Sequence, residues 1–221
     1  MLTSDKLAEL EISNKSHVAG AFSLPVLRRL ESLFPTKVDR TAETGCGKST
    51  IIFSNASGHH SVFCIDDREH GEESSINFFM DCPLTQKERV HLMLGPTQIT
   101  LPNHVHSAPY DVVLIDGPHG YPFPEIEYYY FYPHIREGGL LIIDDVHIAT
   151  IGRLADFIAE DEMFDFVELV STTAVFRRNG APIFDPLGDG WWKQDFNRRR
   201  IPEGNAYLEP YALRDGKHRQ P

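Results

Sequence analysis

The sequence predicts an α/β fold whose mostly parallel sheet carries helices on both faces. From Val38 onward, short β-branched runs alternate with stretches of helical periodicity, which is the pattern of repeated strand–helix units. Three of these runs end in aspartate: 61–65 is followed by Asp66 and Asp67, 111–115 by Asp116, and 140–143 by Asp144 and Asp145. Because parallel strands end at the same edge of a sheet, these acids are expected to face one cleft.

Seven strands and their helices are predicted in order along the chain. Residues 1–36 form a helical segment, with Ser23 and Pro25 at the start of a helix. The next elements are a strand ending at Glu43, a helix from Lys48, a strand at 61–65, a helix at 72–80, strands at 90–94 and 111–116, a helix at 124–135, a strand at 140–144 and a helix at 148–160. The last two strands, 166–170 and 173–177, are so close in sequence that they allow a hairpin but exclude a helical crossover. The expected sheet is therefore Rossmann-like and doubly wound, with an antiparallel hairpin at its C-terminal end.

Composition limits the classes of protein that the chain can represent. Its 221 residues are enough for one domain, here predicted at 37–180, with an irregular tail at 181–221. The net charge of -11 argues against an extended nucleic-acid interface. No apolar run has the length of a membrane span and the N-terminus lacks a signal-peptide core, so a cytoplasmic protein is expected. The three cysteines, an odd number without CxxC spacing, indicate neither disulfides nor a zinc site.

A glycine-rich turn at residues 43–50, ETGCGKST, precedes the first predicted helix of this domain. Gly45 and Gly47 let the backbone approach a ligand closely, and the following helix directs free N–H groups toward a carboxylate or phosphate. A simpler interpretation is a tight turn without a ligand. The run Gly47-Lys48-Ser49 also resembles the end of a P-loop, which would indicate a nucleotide hydrolase or kinase. A P-loop needs glycine five positions before Gly47, however, and this chain has Ala42 there.

The pattern Glu43-x-Gly45-x-Gly47-x-Ser49, the acid after the second strand and the closing hairpin resemble the class I methyltransferases that depend on S-adenosylmethionine (SAM). The resemblance covers about residues 20–178. The motifs at 115–121, IDGPHGY, and 136–146, REGGLLIIDDV, are similar to a narrower branch. That branch includes metal-dependent O-methyltransferases that act on catechols and on sugars of natural products.

The resemblance implies a set of cofactor contacts. The methionine carboxylate of SAM would lie at the helix N-terminus, and Glu43 would accept a hydrogen bond from the methionine amine. Asp66 or Asp67 would bind the ribose hydroxyls, with Asp66 favoured by its position after the strand. The full set of cofactor-binding candidates is Glu43, Thr44, Gly45, Gly47, Ser49, Asp66, Asp67 and Asp116.

Three carboxylates are expected to converge at the edge of the sheet. If the strands before Asp116 and Asp144 are neighbours, these two acids and Asp145 require a cation or a retained proton. Oxygen ligands suit Mg²⁺ or Mn²⁺, and relatives in this branch hold their metal at matching positions. The alternative is structural: Asp145 caps the following helix and Asp144 binds the backbone.

His119 lies three residues after Asp116 and is the candidate general base, with Asp116 beside it as a catalytic group. A histidine titrates near pH 6.5 and can take a proton from a substrate hydroxyl. His147 is a lesser candidate, and a structural role for His119 is the alternative in a chain with eleven histidines. The tyrosine-rich run at 128–132 is interpreted as core, and Trp191-Trp192 with the arginines at 198–200 as a lid or a homodimer contact.

These observations favour a SAM-dependent O-methyltransferase of a small hydroxylated molecule, with a sugar or glycoconjugate ahead of a catechol. The preference for a sugar follows from the resemblance alone. Two alternatives remain from the sequence. One is the P-loop hydrolase or kinase, and the other is a non-catalytic relative that binds SAM.

Overall fold

The computed structural model describes residues 1–11, 22–184, 188 and 190–198, which form a seven-stranded sheet with helices on both faces. The strands are β1 (Arg40–Thr44), β2 (His59–Cys64), β3 (Val90–Leu94), β4 (Tyr110–Ile115), β5 (Ile135–Ile143), β6 (Phe164–Val170) and β7 (Thr173–Arg178). The helices are α1 (Thr3–Glu11), α2 (Leu24–Leu33), α3 (Lys48–Ala56), α4 (Ser75–Asp81), α5 (Thr97–Asn103), α6 (Phe123–Phe131), α7 (Ala149–Glu160) and α8 (Asp195–Arg198). Short 3-10 helices cover Arg68–Glu73, Lys87–Arg89, Tyr132–His134 and Trp191–Lys193.

The strand order is β3-β2-β1-β4-β5-β7-β6, and the first five strands in that order are parallel. Strand β7 runs antiparallel to both β5 and β6. The predicted Rossmann-like α/β class and its C-terminal hairpin are therefore confirmed. The chain passes from one side of β1 to the other between β3 and β4, so the carboxyl ends of β1 and β4 flank the crevice where ligands bind in such sheets.

Two buried clusters hold the helices against the two faces of the sheet. Val113 of β4 shares one cluster with Phe131 of α6 and Ile158 of α7. Its neighbour Val112 shares the other with Ile51 of α3. Adjacent residues of β4 are thus buried on opposite faces, which explains why residues 112–115 form a continuous apolar run rather than an alternating one.

Several predicted boundaries were wrong, each for a local reason. The helix expected at 72–80 is the end of the 3-10 helix at Arg68–Glu73 and then α4, because the extended backbone of Ser74 separates the two. The helix expected at 124–135 ends at Phe131, since Pro133 has no N–H to continue it. Strand β5 begins at Ile135 rather than at 140, and two glycines concealed its first half. Helix α5, which contains Pro102, was not predicted.

The two ends of the chain are described only in part. Helices α1 and α2 lie within the predicted helical segment, and Glu31 of α2 accepts hydrogen bonds from the backbone N–H groups of Thr3 and Ser4. Of the predicted tail, the described residues include Trp191, Trp192 and Arg198, whereas the predictions for 199–221 fall on residues outside the described part. None of the described helices has the length and apolar character needed to cross a bilayer.

Candidate active site

The glycine-rich turn joins the carboxyl ends of β1, β2 and β4. The N–H of Gly45 donates a hydrogen bond to the carbonyl oxygen of Phe63 at 2.9 Å. Gly45 has φ +79, and a Cβ added to it would lie 2.5 Å from the carbonyl oxygen of Asp116. Only glycine allows this combination of left-handed backbone and close approach. The turn therefore lies directly against Asp116, the first residue after β4.

A network of buried hydrogen bonds stabilises the glycine-rich turn. The carboxylate of Glu43 is fully buried, and its Oε1 accepts hydrogen bonds from Thr50 Oγ1 and from His60 Nε2, the latter at 3.1 Å. Thr50 Oγ1 in turn accepts from the N–H of Gly47 at 2.9 Å. The other imidazole nitrogen of His60 contacts Thr41 Oγ1 at 2.8 Å, so the tautomer with its proton on Nε2 satisfies both contacts. This network fixes the start of α3 relative to β1 and β2.

Glu43 retains one oxygen for a ligand. Its Oε2 is buried and has no hydrogen-bond partner among the described residues. The predicted contact with the methionine amine thus has an available acceptor and stays a prediction. Of the other turn residues, Thr44 and Ser49 are buried, and Gly47 serves as the N-cap of α3.

A cavity of about 460 Å³ opens beside the turn. Its walls include Gly45, Cys46, Asp67, Thr97, Asp116 and His119. Ala42, by contrast, is fully buried within β1 and pairs with Ser61 and Val113, so it is not part of a loop around a phosphate. This arrangement favours a SAM-type cleft over the P-loop alternative.

The two acids after β2 have different surroundings. The carboxylate of Asp66 pairs with Arg68, with its oxygens 2.7 and 2.5 Å from Nε and Nη2, and this contact lowers the Asp66 pKa to about 2. The carboxylate of Asp67 lines the cavity but already accepts hydrogen bonds from Ser74 Oγ at 2.7 Å and from the N–H of Ser75 at 2.6 Å. Each acid already has partners, but a carboxylate oxygen can accept a second hydrogen bond, so the preference for Asp66 stays a prediction.

Asp116, His119 and Asp145 form the candidate metal centre. One ligand atom from each lies within 4.8 Å of the other two. His119 Nε2 is 3.3 Å from Asp145 Oδ2 and 3.9 Å from Asp116 Oδ1. His147 Nδ1 lies 3.6 Å from the other carboxylate oxygen of Asp145, which brings this lesser candidate to the same rim. Asp145 has a left-handed backbone, with φ +56, at this position.

Asp144 is not one of these three residues, although its carboxylate lies near Asp116. It is 8% exposed, and its Oδ1 accepts a hydrogen bond of 2.5 Å from Thr173 Oγ1 of β7. The N–H of Asp144 donates to the carbonyl oxygen of Ile115, which extends the pairing of β4 and β5. Its proposed role as a metal ligand stays a prediction. The helix-capping alternative for Asp145 has no support, because the N-cap of α7 is Ile148 and no side chain caps it.

The electrostatics of the centre fit a divalent cation. Burial, with the nearby carboxylates of Asp144 and Glu43, raises the pKa of Asp116 to about 7. The carboxylate of Asp116, and then that of Asp145, raises the pKa of His119 above its usual value. The two carboxylates are oxygen donors of the kind that Mg²⁺ or Mn²⁺ can use, and a cation would offset the repulsion between them, with the imidazole of His119 beside it.

Glu127 is a site residue that the sequence reasoning missed. Its carboxyl is fully buried, and burial raises its pKa to about 7. Oε2 accepts a hydrogen bond of 2.7 Å from Thr44 Oγ1, which itself accepts from the N–H of Asp116 at 3.0 Å. A Cβ on Gly117 would overlap this carboxyl. The signal was present, because Glu127 lies on the core-facing stripe of α6 with Pro124, Tyr128 and Phe131.

Comparison with known proteins gives one family and a shared fold. The family described as "Methyltransferase domain" matches residues 42–146. No curated protein is significantly similar in sequence. The O-methyltransferase TomG from Streptomyces achromogenes, solved in complex with SAM, is 18% identical, with a TM-score of 0.56 over 80% of this chain and 90% of that one.

Two further solved structures have the same fold. The O-methyltransferase from Bacillus cereus in complex with SAH (S-adenosylhomocysteine) is 15% identical, with a TM-score of 0.56 over 80% of this chain and 90% of that one. The SAH-bound methyltransferase PaMTH1 from Podospora anserina is 13% identical, with a TM-score of 0.56 over 80% and 88%. Residues 42–146 thus match a methyltransferase domain, and the chain shares its fold with methyltransferases solved in complex with SAM or SAH.

Proposed function

We propose that the protein catalyses the O-methylation of a small hydroxylated molecule, with SAM as methyl donor and a divalent cation as assistant. The observation that carries the proposal is the convergence of Asp116, His119 and Asp145 at the cavity beside the glycine turn. Methyl donor and acceptor would then meet where the ends of β1, β4 and β5 come together.

The cofactor is held by groups that the fold already orients. The N–H groups at the start of α3 would bind the methionine carboxylate, and Glu43 Oε2 would accept a hydrogen bond from the methionine amine. Asp66 or Asp67 would bind the ribose hydroxyls. The network of Glu43, Thr50 and His60 keeps these positions fixed before SAM binds, which lowers the entropy that binding must remove.

The reaction is a direct displacement. The acceptor oxygen forms its bond to the methyl carbon as the carbon–sulfur bond of SAM breaks, and SAH leaves. His119 Nε2 takes the proton of the hydroxyl, since the neighbouring carboxylates raise its pKa and strengthen it as a base. A Mg²⁺ or Mn²⁺ ion held by Asp116 and Asp145, with Asp144 close to them, would lower the pKa of the acceptor hydroxyl. Most of the remaining rate acceleration comes from alignment of the reacting atoms.

We favour a sugar or glycoconjugate acceptor ahead of a catechol. The support is the resemblance of the motifs at 115–121 and 136–146 to the branch that methylates such molecules. Sugars and catechols both present a hydroxyl with an adjacent oxygen. Either could therefore bind the cation that Asp116 and Asp145 would hold.

The first experiment is turnover with SAM and a panel of methyl glycosides and catechols, with SAH measured by mass spectrometry. We expect SAH release that stops in EDTA and returns with Mg²⁺ or Mn²⁺. Release that EDTA leaves unchanged would refute the role of the cation. Binding of SAH without turnover of any acceptor would favour the non-catalytic relative. Binding of ATP with Mg²⁺, and none of SAH, would favour the nucleotide hydrolase or kinase.

Variants of the candidate ligands separate binding from chemistry. Asp145→Asn should reduce turnover at least about a hundredfold and leave the SAH affinity within about twofold, because Asp145 faces His119 and is not among the residues that line the cofactor cavity. Asp144→Ala should also abolish turnover if this acid supports the metal. The control is Asp165→Asn on the exposed side of β6, which changes the charge equally. Unchanged turnover in Asp144→Ala would restrict Asp144 to its bond with Thr173.

A further inference from the structure

A second cavity, of about 690 Å³, lies between α6, α7 and the segment that follows β7. Phe157 of α7 and Phe184 and Phe196 of the following segment contribute aromatic rings to its walls. Helix α6 and the residues around it contribute five tyrosines: Tyr121, Tyr128, Tyr129, Tyr130 and Tyr132. So many aromatic rings around one space give it both apolar area and the negative faces of π-systems.

Three polar atoms in the walls of this cavity lack a partner. Tyr128 and Asp161 are only 7% and 6% exposed. Yet Tyr128 Oη and Asp161 Oδ2 have no hydrogen-bond partner among the described residues, and the same holds for Glu125 Oε2. A buried polar atom without a partner costs free energy, so a native fold usually satisfies it through a ligand or water.

The described walls carry a net negative charge. Among the described lining residues, Asp161 and Glu125 contribute two carboxylates, against one guanidinium, that of Arg153. Another cation, Arg178, lies near Asp161, but its guanidinium donates to backbone carbonyls, including Met163 at 3.2 Å and Ala181 at 2.5 Å. Burial raises the pKa of Asp161, and the nearby charge of Arg178 does not fully offset this effect.

The geometry points to this cavity as a binding site for an organic ammonium ion that carries an aromatic or similarly apolar group. The ammonium would donate to Asp161 Oδ2, Glu125 Oε2 and Tyr128 Oη. The apolar group would pack against the tyrosines, whose ring faces also attract the positive charge. The site is independent of methyl transfer and needs no cofactor.

The cavity is separate from the cofactor cleft. Gln98 lines both spaces, but Tyr121 and Pro122 line this cavity whereas His119 lines the cofactor cleft. An ammonium ligand should therefore bind whether or not SAH occupies the cleft.

The test is calorimetric titration of the full chain with 2-phenylethylamine, and with 2-phenylethanol as its uncharged analogue. We expect saturable binding of the amine and at least tenfold weaker binding of the alcohol, because the charge-assisted hydrogen bonds are lost. Affinity for the amine should be unchanged in saturating SAH. Absence of saturable amine binding, equal affinity for both compounds, or displacement of the amine by SAH would overturn the assignment.

Variants locate the site within the cavity. Asp161→Asn and Tyr128→Phe should each weaken amine binding about tenfold, because each removes one contact with the ammonium. Asp156→Asn on the exposed side of α7 is the matched control and should have no effect. If Asp161→Asn does not fold, Glu125→Gln replaces it, since Glu125 lies in the first turn of α6. Equal affinities in the wild type and these variants would refute the proposal.

Discussion

Replacement of Gly45 by alanine tests the central contact of the cofactor turn. The added Cβ would lie 2.5 Å from the carbonyl oxygen of Asp116, a distance that real Cβ atoms do not show. Because the opposing atom belongs to the backbone, no side-chain rotation can relieve the overlap. The ends of β1 and β4 would have to move apart, and with them the hydrogen bond from Gly45 to Phe63.

Two costs add up in this variant. A left-handed backbone, here with φ +79, costs a non-glycine residue about 1–2 kcal/mol. The steric overlap adds about 1–3 kcal/mol, the usual cost of overpacking. For a domain of this size each kcal/mol corresponds to about 2–4 °C, so we expect the melting temperature to fall by roughly 4–20 °C. The affinity for SAH should fall at least about tenfold, because the turn no longer fits against Asp116.

Thermal unfolding and calorimetric titration with SAH measure the two effects. Gly120→Ala is the matched control: it lies in the loop after β4, and its added Cβ meets nothing within 4 Å. We expect this variant to remain close to the wild type in both measurements. The reasoning is refuted if Gly45→Ala binds SAH as tightly as Gly120→Ala and melts at the same temperature.

Other parts of the molecule give three further predictions. Glu127→Ala should lower the free energy of unfolding by about 2–4 kcal/mol, because Thr44 loses its acceptor and a cavity forms. Glu127→Gln retains the acceptor and should lose less than half as much in urea unfolding; equal losses would contradict this explanation. Burial lowers the folded-state pKa of His106 to about 4, so the unfolded chain binds the proton first, and unfolding in urea should become easier by about 2 kcal/mol from pH 6.5 to pH 4. His106→Phe should flatten that dependence, and an unchanged slope would contradict it. Asp66→Asn should weaken SAH binding about tenfold by calorimetry if Asp66 takes the ribose, whereas Arg68→Ala, which removes its present partner, should not.

The sequence was sufficient to predict the sheet and the edge where the site lies. The apolar run at 111–115 and the one at 140–143 are buried on both faces, and such runs have few alternatives to a central parallel strand. Once β4 and β5 are neighbours, Asp116 and Asp145 necessarily come to the same edge. The apolar pattern of each strand agrees with its position in the sheet. A sequence predicts a fold best where local pattern and overall topology agree in this way.

The sequence did not determine the direction of individual side chains. Asp144 and Asp145 are adjacent in the chain, but one binds Thr173 of β7 and the other faces His119. That difference depends on the left-handed backbone of Asp145 and on the register of β7, neither of which has a local signal. Glu127 is a related case. Its position on the apolar stripe of α6 predicts burial, but its partner Thr44 is 83 residues away in the chain.

The buried polar groups of the cleft fall into two sets that differ in how well they are satisfied. Glu43 and His60 hold each other and the start of α3 beneath the cofactor turn. Asp116 and Asp145, at the rim, face His119, and burial has raised the pKa of Asp116 to about 7. A hydrogen-bonded network makes a turn rigid, whereas a buried carboxylate whose charge is not offset costs stability until a cation or substrate offsets it. The residues that stabilise the turn and the residues proposed for the chemistry are thus neighbours but not the same. Substitutions at Gly45 and at Asp145 should therefore separate cofactor binding from turnover.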